Sequence, residues 1–184
     1  GGPGAGNRTL EILRSMMNKA EAWGYREECS NPCRGIRFNR KRKYECFLSN
    51  EELARLGTAL EDLKRDRLPH ATALLVIALT GCRKSEILGL TWNEVKGRRL
   101  LLHDSKTGPR TVWMGDEARA LLDVLPRHPR HNRVFWHGEY DDLDSSVYFH
   151  FQAARAKAGL PKIRIHDLRH SFASVDIRDD ISLT

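Results

Sequence analysis

The side chains of this sequence whose types and spacing could do chemistry lie in three short segments. In the first, Arg83 is followed by Glu86 one helical turn later, so that the carboxylate could orient the guanidinium. In the second, Lys106 lies in Lys106-Thr107-Gly108-Pro109, whose residue types favour a tight turn. Each pattern is weak alone, because surface ion pairs and solvated turn lysines are common. Together with the other two segments, Lys106 becomes a candidate proton donor.

The third segment gathers two histidines and an arginine near one face of a helix. His166 and Arg169 have an i, i+3 spacing, and His170 lies at i+4 from His166. Leu168 and Phe172 point the other way, toward a core. Apolar neighbours can thus aim a histidine and an arginine into a cleft. The alternative is a helix start with incidental polar residues.

Helices that would position these segments follow from periodicity and capping residues. Ser49 and Glu52 have the spacing of a capping box. Pro69 is expected to separate two helices, and Gly81 to end the helix that precedes Arg83. The predicted helices cover approximately residues 8–23, 49–66, 71–79, 85–90, 116–125 and 145–158, with a last one beginning near His166.

A small antiparallel hairpin is predicted between the first and third segments. Its strands are Leu100–Leu102 and Thr111–Met114, with Lys106 at or near the tip. Asp116 is expected to cap the next helix. Val134–Trp136 favours a short buried strand or turn. The predicted fold class is therefore α+β, mainly α-helical with a small antiparallel sheet.

Composition indicates a globular chain with a basic surplus. The 184 residues are enough for one domain, or for one domain and part of another, and 40% of them are hydrophobic. No apolar run is long enough to cross a bilayer and no secretory signal is recognisable, so we expect a cytoplasmic protein. The net charge of +7 raises the odds of a polyanionic partner, although many basic proteins merely carry a solvated positive face.

The four cysteines do not predict a metal site. Cys29 and Cys33 are close in sequence, but no second close pair and no histidine at metal-ligand spacing accompanies them. Reduced thiols, no metal and no cofactor are expected.

A basic run without any acidic residue lies between the first predicted helix and Ser49. It is either a solvated linker or a segment that lies along phosphates. Its members are Arg34, Arg37, Arg40, Lys41, Arg42 and Lys43.

The order of these segments resembles the tyrosine recombinase, or phage integrase, family. The family pattern has an arginine in Thr-Gly-x-Arg-x-x-Glu, a lysine in a β-turn and a His-x-Leu-Arg-His box. This sequence has Thr80-Gly81-Cys82-Arg83-Lys84-Ser85-Glu86, then Ser105-Lys106-Thr107-Gly108, then His166-Asp167-Leu168-Arg169-His170. The resemblance covers about residues 45 to 184, and residues 8 to 43 are similar to the last helix and linker of the family's core-binding domain.

The resemblance implies three regions and an integrase-type catalytic fold. Residues 1–33 would be the end of a core-binding (SAM-like) domain, 34–47 a basic interdomain linker, and 48–184 a catalytic domain that is incomplete at its C-terminus.

The resemblance also implies site-specific DNA recombination through a phosphotyrosyl intermediate. Arg83 and Arg169 would stabilise the charge of the five-coordinate phosphorus, and Lys106 would protonate the leaving oxygen. His166 would position the phosphate and assist proton transfer, supported by Glu86 and His170. The implied partners are double-stranded DNA at recombination sites and other protomers, and no metal is required.

The tyrosines depart from the family pattern. The family's nucleophile follows the His-x-Leu-Arg-His box, whereas Tyr25, Tyr44, Tyr140 and Tyr148 all precede it. We therefore expect a chain that lacks the nucleophile and does not cleave DNA alone. The alternatives are a non-catalytic DNA-binding fragment, a type IB topoisomerase relative, and a basic domain without a DNA role.

Overall fold

The computed structural model describes residues 2–40, 46–103, 108–136 and 143–180, with only the backbone for residues 144 and 173–180. Two compact units divide the chain, residues 1–44 and 45–184. The helices are α1 (Pro3–Ala22), α2 (Asn50–Thr80), α3 (Lys84–Leu88), α4 (Asp116–Asp123), α5 (Leu143–Lys157) and α6 (Ile165–Asp180), and the strands are β1 (Val95–Lys96), β2 (Arg99–Leu102) and β3 (Arg110–Trp113). None of the described helices has an apolar stretch long enough to cross a bilayer.

The first unit is α1 with a returning segment that polar side chains hold against it. The side-chain amide of Asn7 donates to the backbone carbonyl of Asn39 at 2.8 Å. The backbone amide of Asn39 donates in return to Asn7 Oδ1 at 2.7 Å. The Arg14 guanidinium donates to the carbonyls of Cys33 and Ile36 at 3.0 and 2.8 Å. Met16 on this helix is 57% exposed within this unit, where polar contacts attach the returning segment.

The start and the end of α1 follow from two residues with special backbone preferences. The helix begins earlier than predicted, at Pro3, where a proline can occupy the first turn without losing a hydrogen bond. It ends as predicted at Gly24, which adopts a left-handed φ of 76°. The Tyr25 amide then donates to the Ala20 carbonyl at 2.9 Å, which closes the helix end.

The second unit is organised by α2, the longest helix. Its predicted capping box is confirmed, since Ser49 Oγ accepts from the Glu52 amide and the Glu52 carboxylate accepts from the Ser49 amide at 2.9 Å. The prediction of two helices separated near Pro69 is confirmed, although the two follow each other directly within α2. The chain continues through a kink at Arg67 (φ −138°), two residues before Pro69, because proline removes a backbone donor and disfavours helical backbone just before it.

The C-terminal half of α2 lies at the centre of the core. Ala71, Ala73, Leu74, Val76 and Ile77 are almost completely buried. Helices α4, α5 and α6 pack around α2, as its nearly all-round apolar sequence requires.

The three strands form an antiparallel sheet in the order β1-β2-β3. Leu100 pairs with Val112, and both side chains face the core. Strand β1 has only two residues and was not predicted, because so short a strand has no readable period. The tip of the β2–β3 hairpin, with Lys106, lies outside the described residues. The predicted α+β class, mainly helical with a small antiparallel sheet, is confirmed.

The start of α4 differs from the prediction in its N-cap residue. Asp116 was expected to cap α4 but is its first residue. The N-cap is Gly115, and the Asp116 carboxylate instead forms an ion pair with Arg98. A carboxylate in a first helical turn is still favourable electrostatically. Val134 lies in a buried turn, and its backbone amide donates to the Leu90 carbonyl at 2.9 Å.

Gly81 ends α2 in a left-handed conformation (φ 59°) directly beneath an aromatic ring. A Cβ atom added at Gly81 would lie 2.6 Å from Cδ1 of Phe172 on α6. Both the backbone conformation and the close approach therefore require glycine at the turn that leads to Arg83.

We expect Gly81→Ala to destabilise the chain by about 3 kcal/mol, from left-handed backbone strain plus overpacking against Phe172. The matched control is Gly97→Ala, since Gly97 has the same φ of 59° with no atom near the added methyl. The control should cost only the backbone term, about 1 kcal/mol. Urea unfolding measures both values, and equal losses would show that the Phe172 contact contributes nothing.

Candidate active site

The turn at Gly81 brings together two of the predicted arginines. Arg83 follows it immediately and is the N-cap residue of α3. Arg169, on α6, donates a hydrogen bond from Nη1 to the Gly81 carbonyl. Residues from the end of α2 and the start of α6, far apart in sequence, are thus fixed at one turn.

A cleft of about 270 Å³ opens beside this turn. Its walls come from α2, α3, α5 and α6, and its lining residues are Ile77, Cys82, Lys84, Tyr148, Ile165, His166 and Arg169. His166 and Arg169 share this cleft, as their i, i+3 spacing predicts. Cys82 and Lys84, the neighbours of Arg83 in sequence, line the cleft. The Arg83 guanidinium itself is directed to Glu86.

Glu86 accepts three hydrogen bonds from two arginines. Its Oε1 accepts from Arg83 Nη1 at 2.6 Å, and its Oε2 accepts from the Arg83 amide at 2.7 Å. Arg110 Nη2, on β3, donates to the same Oε2 at 2.7 Å. Burial opposes ionisation of this side chain, which is only 2% exposed, but the hydrogen bonds from Arg110 and Arg83 outweigh it and lower the pKa of Glu86 to about 2.

The start of α6 is fixed by a second buried carboxylate. The Asp167 side chain is fully buried, accepts from the Arg164 amide at 2.8 Å and pairs with the Arg164 guanidinium at 2.6 Å. Burial raises the pKa of Asp167, and these contacts with Arg164 more than compensate, so the pKa is lowered. Ser171, on the next turn, donates to the Asp167 carbonyl and accepts from the Leu48 amide at 3.0 Å. These contacts fix the helix that carries His166 and Arg169.

The two histidines of α6 are neighbours at the cleft. The ring centroids of His166 and His170 are 4.6 Å apart and nearly perpendicular, and Phe47 packs edge-on against His170 at 6.3 Å. Partial burial lowers the pKa of His166, and electrostatic interactions with His170, Arg169 and Arg164 lower it further. The neutral ring is therefore favoured at neutral pH, where one nitrogen can accept a proton.

Some predicted residues lie elsewhere or outside the described part of the chain. Lys106 falls among residues 104–107, and Lys41, Arg42 and Lys43 among 41–45, which the structure does not describe. Arg34 forms an ion pair with Glu21 at 2.6 Å within the first unit. Arg37 and Arg40 are exposed. The four cysteines are free thiols, and no three His, Cys, Asp or Glu side chains of the described residues form a metal-binding group.

Comparison with known proteins decides the family. Residues 46–183 match the model of the phage integrase family. The chain belongs to this family. It is 30% identical over 141 residues to the prophage integrase IntF of Escherichia coli (strain K12), covering 72% of this chain and 30% of that protein. The chain thus spans less than a third of the length of this curated relative.

Solved integrases share the fold. A lambda integrase (75–356) dimer bound to a COC′ core site superposes with a TM-score of 0.75 at 18% identity, covering 96% of this chain and 68% of that one. The catalytic domain of bacteriophage HP1 integrase matches with a TM-score of 0.54 at 29% identity, covering 74% of each chain. The cleft therefore lies in an integrase-type catalytic fold.

Sequence reasoning missed three residues of this integrase site. Arg110 is brought to Glu86 by the hairpin, and the sequence offers no local spacing that pairs them. Tyr148 lines the cleft from α5, although its sequence neighbours suggest only a helix. Asp167 could have been recognised, because its spacing from Arg164 is that of a helix-start contact.

The pKa of Glu86 predicts an acid-dependent loss of stability. Because this pKa, about 2, lies below the ordinary 4.5, the ionised carboxylate stabilises the fold above about pH 4.5 and progressively less as the pH falls toward 2. The shift corresponds to about 3 kcal/mol. We expect the free energies of unfolding of wild type and Glu86→Gln, measured with urea, to become steadily more similar as the pH falls below 4.5. Glu61→Gln, which alters an exposed carboxylate paired with Lys64, is the control and should differ little from wild type. A Glu86→Gln difference that does not change with pH would contradict the assignment.

Proposed function

We propose that this integrase chain binds double-stranded DNA and carries the arginine, lysine and histidine part of a site that cleaves and rejoins DNA during site-specific recombination. The observation that carries the proposal is the gathering of Arg83, Arg169 and His166 around the Gly81 turn and its cleft. These residue types match the needs of phosphoryl transfer, in which negative charge builds up on oxygens around phosphorus.

The charge balance of the site favours an anion. Arg83, Arg110 and Arg169 contribute three positive charges, and Glu86 is the carboxylate they share. Arg83 and Arg169 would bind the non-bridging oxygens of a phosphodiester. Binding of a phosphate would compete with the Gly81 carbonyl for Arg169.

Proton transfer is assigned to two residues. His166 is exposed, lines the cleft and is held toward its neutral form, so it can take up or pass on a proton near the bound phosphate. Lys106, which lies between β2 and β3 in the sequence, would protonate the leaving sugar oxygen. The guanidinium groups supply the electrostatic stabilisation in this scheme, with no metal or cofactor.

Nucleophilic attack requires a tyrosine after the His166–His170 segment in the family pattern, and the four tyrosines of this chain precede it. We therefore propose that this chain supplies DNA binding and phosphate activation, but not the nucleophile. Tyr148 is the described tyrosine that lines the cleft.

Two further parts of the proposal concern partners and domains. The lambda integrase structures include a dimer on a core site and a tetramer on a Holliday junction, which supports other protomers as partners of the whole protein. We propose that residues 1–33 end a core-binding domain and that residues 34–47 link it to the catalytic domain. Exposed apolar side chains on α1, such as Ile12, Leu13 and Met16, support a missing neighbour in that domain.

Duplex binding should depend strongly on salt and on Arg169. We expect log affinity to fall linearly with log salt, with a slope of about −0.9 for each phosphate neutralised. Arg169→Met should weaken binding and make the slope shallower by about 0.9, since one contact is lost. Fluorescence anisotropy with a short labelled duplex measures both.

Arg119→Met is the matched control for this measurement. It removes an arginine whose guanidinium pairs with Asp123 on α4, away from the cleft residues. The control should bind as wild type does, with thermal unfolding confirming that each variant is folded. Equal weakening in both variants would show that total charge, rather than the cleft, determines binding.

No covalent adduct should form between this chain and a nicked suicide duplex, because all its tyrosines precede the His166–His170 segment. Native and denaturing gels run in parallel test this. A native shift without a denaturant-resistant band is the expected result. An adduct that disappears in Tyr148→Phe would instead identify Tyr148 as a nucleophile and contradict the prediction.

A further inference from the structure

Two arginines from different elements share the Glu86 carboxylate. Arg83 belongs to the start of α3, and Arg110 is the first residue of β3. Arg83 Nη1 and Arg110 Nη2 lie 2.6 and 2.7 Å from the two carboxylate oxygens. Glu86 is 2% exposed, whereas the two arginine side chains are 28% and 31% exposed. The carboxylate is thus hidden behind two guanidinium groups that remain partly open to solvent.

This sharing changes the charge that the site can present. A buried carboxylate paired with Arg83 alone would cancel the positive charge of Arg83. With Arg110 added, the group has a net charge of +1, so that Glu86 can orient Arg83 without neutralising it. Burial disfavours the charge on Arg110, but the hydrogen bond and the charge of Glu86 outweigh burial and raise the pKa of Arg110.

Arg110 also connects the sheet to α3. Its backbone pairs with Leu102 at the end of the β2–β3 ladder, and in sequence it follows residues 104–107. Its Nε is buried and has no hydrogen-bond partner within the part of the chain that the structure describes. Placing such a donor inside the fold is costly, and the hydrogen bond from Nη2 to Glu86 helps to offset this cost.

We propose that Arg110 is a positioning residue of the integrase site, which acts through Glu86 to hold the Arg83 guanidinium and to keep its positive charge available for a phosphate. The inference rests on the proposed function in one respect, namely that Arg83 binds a phosphate of DNA. Arg110 itself makes no phosphate contact in this proposal. Arg110 is the first residue of β3, the strand that follows Lys106 in sequence. Its contact with Glu86 therefore links the β2–β3 hairpin, next to the proposed proton donor, to Arg83.

A structural ion pair is the competing explanation. In that case Arg110 would merely fasten β3 to α3, and its loss would lower stability without altering how Arg83 responds to an anion. The two explanations separate when anion binding and stability are measured on the same variants.

The test uses the full chain and two probes, a short labelled duplex and inorganic phosphate. NMR follows the Arg83 Nε–H signal during phosphate titration and the Glu86 carboxyl carbon during pH titration. For Arg110→Met we expect the pKa of Glu86 to rise, and the affinities for duplex and for phosphate at Arg83 to fall about tenfold, as removal of a charge-assisted contact does. Arg110→Lys keeps the charge but loses the planar fork, so its affinities should lie between those of wild type and Arg110→Met.

A double variant tests whether Arg110 acts through Glu86. In a Glu86→Gln background, Arg110→Met should cause little further loss of phosphate affinity, because the connecting carboxylate is already gone. Losses that simply add would show that Arg110 acts independently of Glu86 and would overturn the proposal. Arg119→Met, which breaks an exposed pair with Asp123, is the control for charge removal and should leave both probes unaffected.

The remaining outcomes also decide the question. If Arg110→Met lowers the melting temperature but leaves phosphate affinity at Arg83 unchanged, Arg110 is a structural ion pair and the proposal fails. If Arg110→Met does not fold, Arg110→Lys decides, since wild-type phosphate affinity in that variant overturns the proposal and a several-fold loss supports it. If no variant, wild type included, binds the duplex while the Arg83 and Glu86 signals change as expected, the proposed DNA function fails and the role of Arg110 stands.

Discussion

The candidate site depends on one buried carboxylate. Glu86 is almost completely buried, so the free energy lost on burying its charge must be recovered from its three hydrogen bonds with Arg83 and Arg110. Those contacts fix the backbone at the start of α3, the direction of the Arg83 side chain and the position of β3 at once. An unpaired carboxylate here would be strongly destabilising, which is why the three elements must come together in the folded state.

A second constraint is geometric and lies at Gly81. The left-handed turn ends α2 and brings the chain to Arg83, while its carbonyl accepts the hydrogen bond from Arg169. The Phe172 ring covers the turn so closely that no side chain fits. Because α6 supplies both Arg169 and Phe172, the packing of α6 on the end of α2 determines the spacing of the two arginines.

The sequence predicts those features that depend on neighbours within one helical turn or on residues with special backbone preferences. Examples are the capping box at Ser49, the helix end at Gly81, and the shared face of His166 and Arg169. It fails where pairing is long-range. The contact of Arg110 with Glu86 joins residues that only the hairpin brings together, and helical periodicity at α1 does not show how much of its apolar surface is covered.

Charge at the cleft follows from how each ionisable group is balanced. Asp167 is paired with Arg164 and so adds no net charge near the start of α6. Glu86 is outnumbered by Arg83 and Arg110, and Arg169 donates to the neutral Gly81 carbonyl. Burial and neighbouring positive charges lower the pKa of His166 and favour its neutral form, so guanidinium groups would supply the attraction for a phosphate in the proposed function. In the proposed function, anion binding by the arginines would thus be separate from proton transfer by His166.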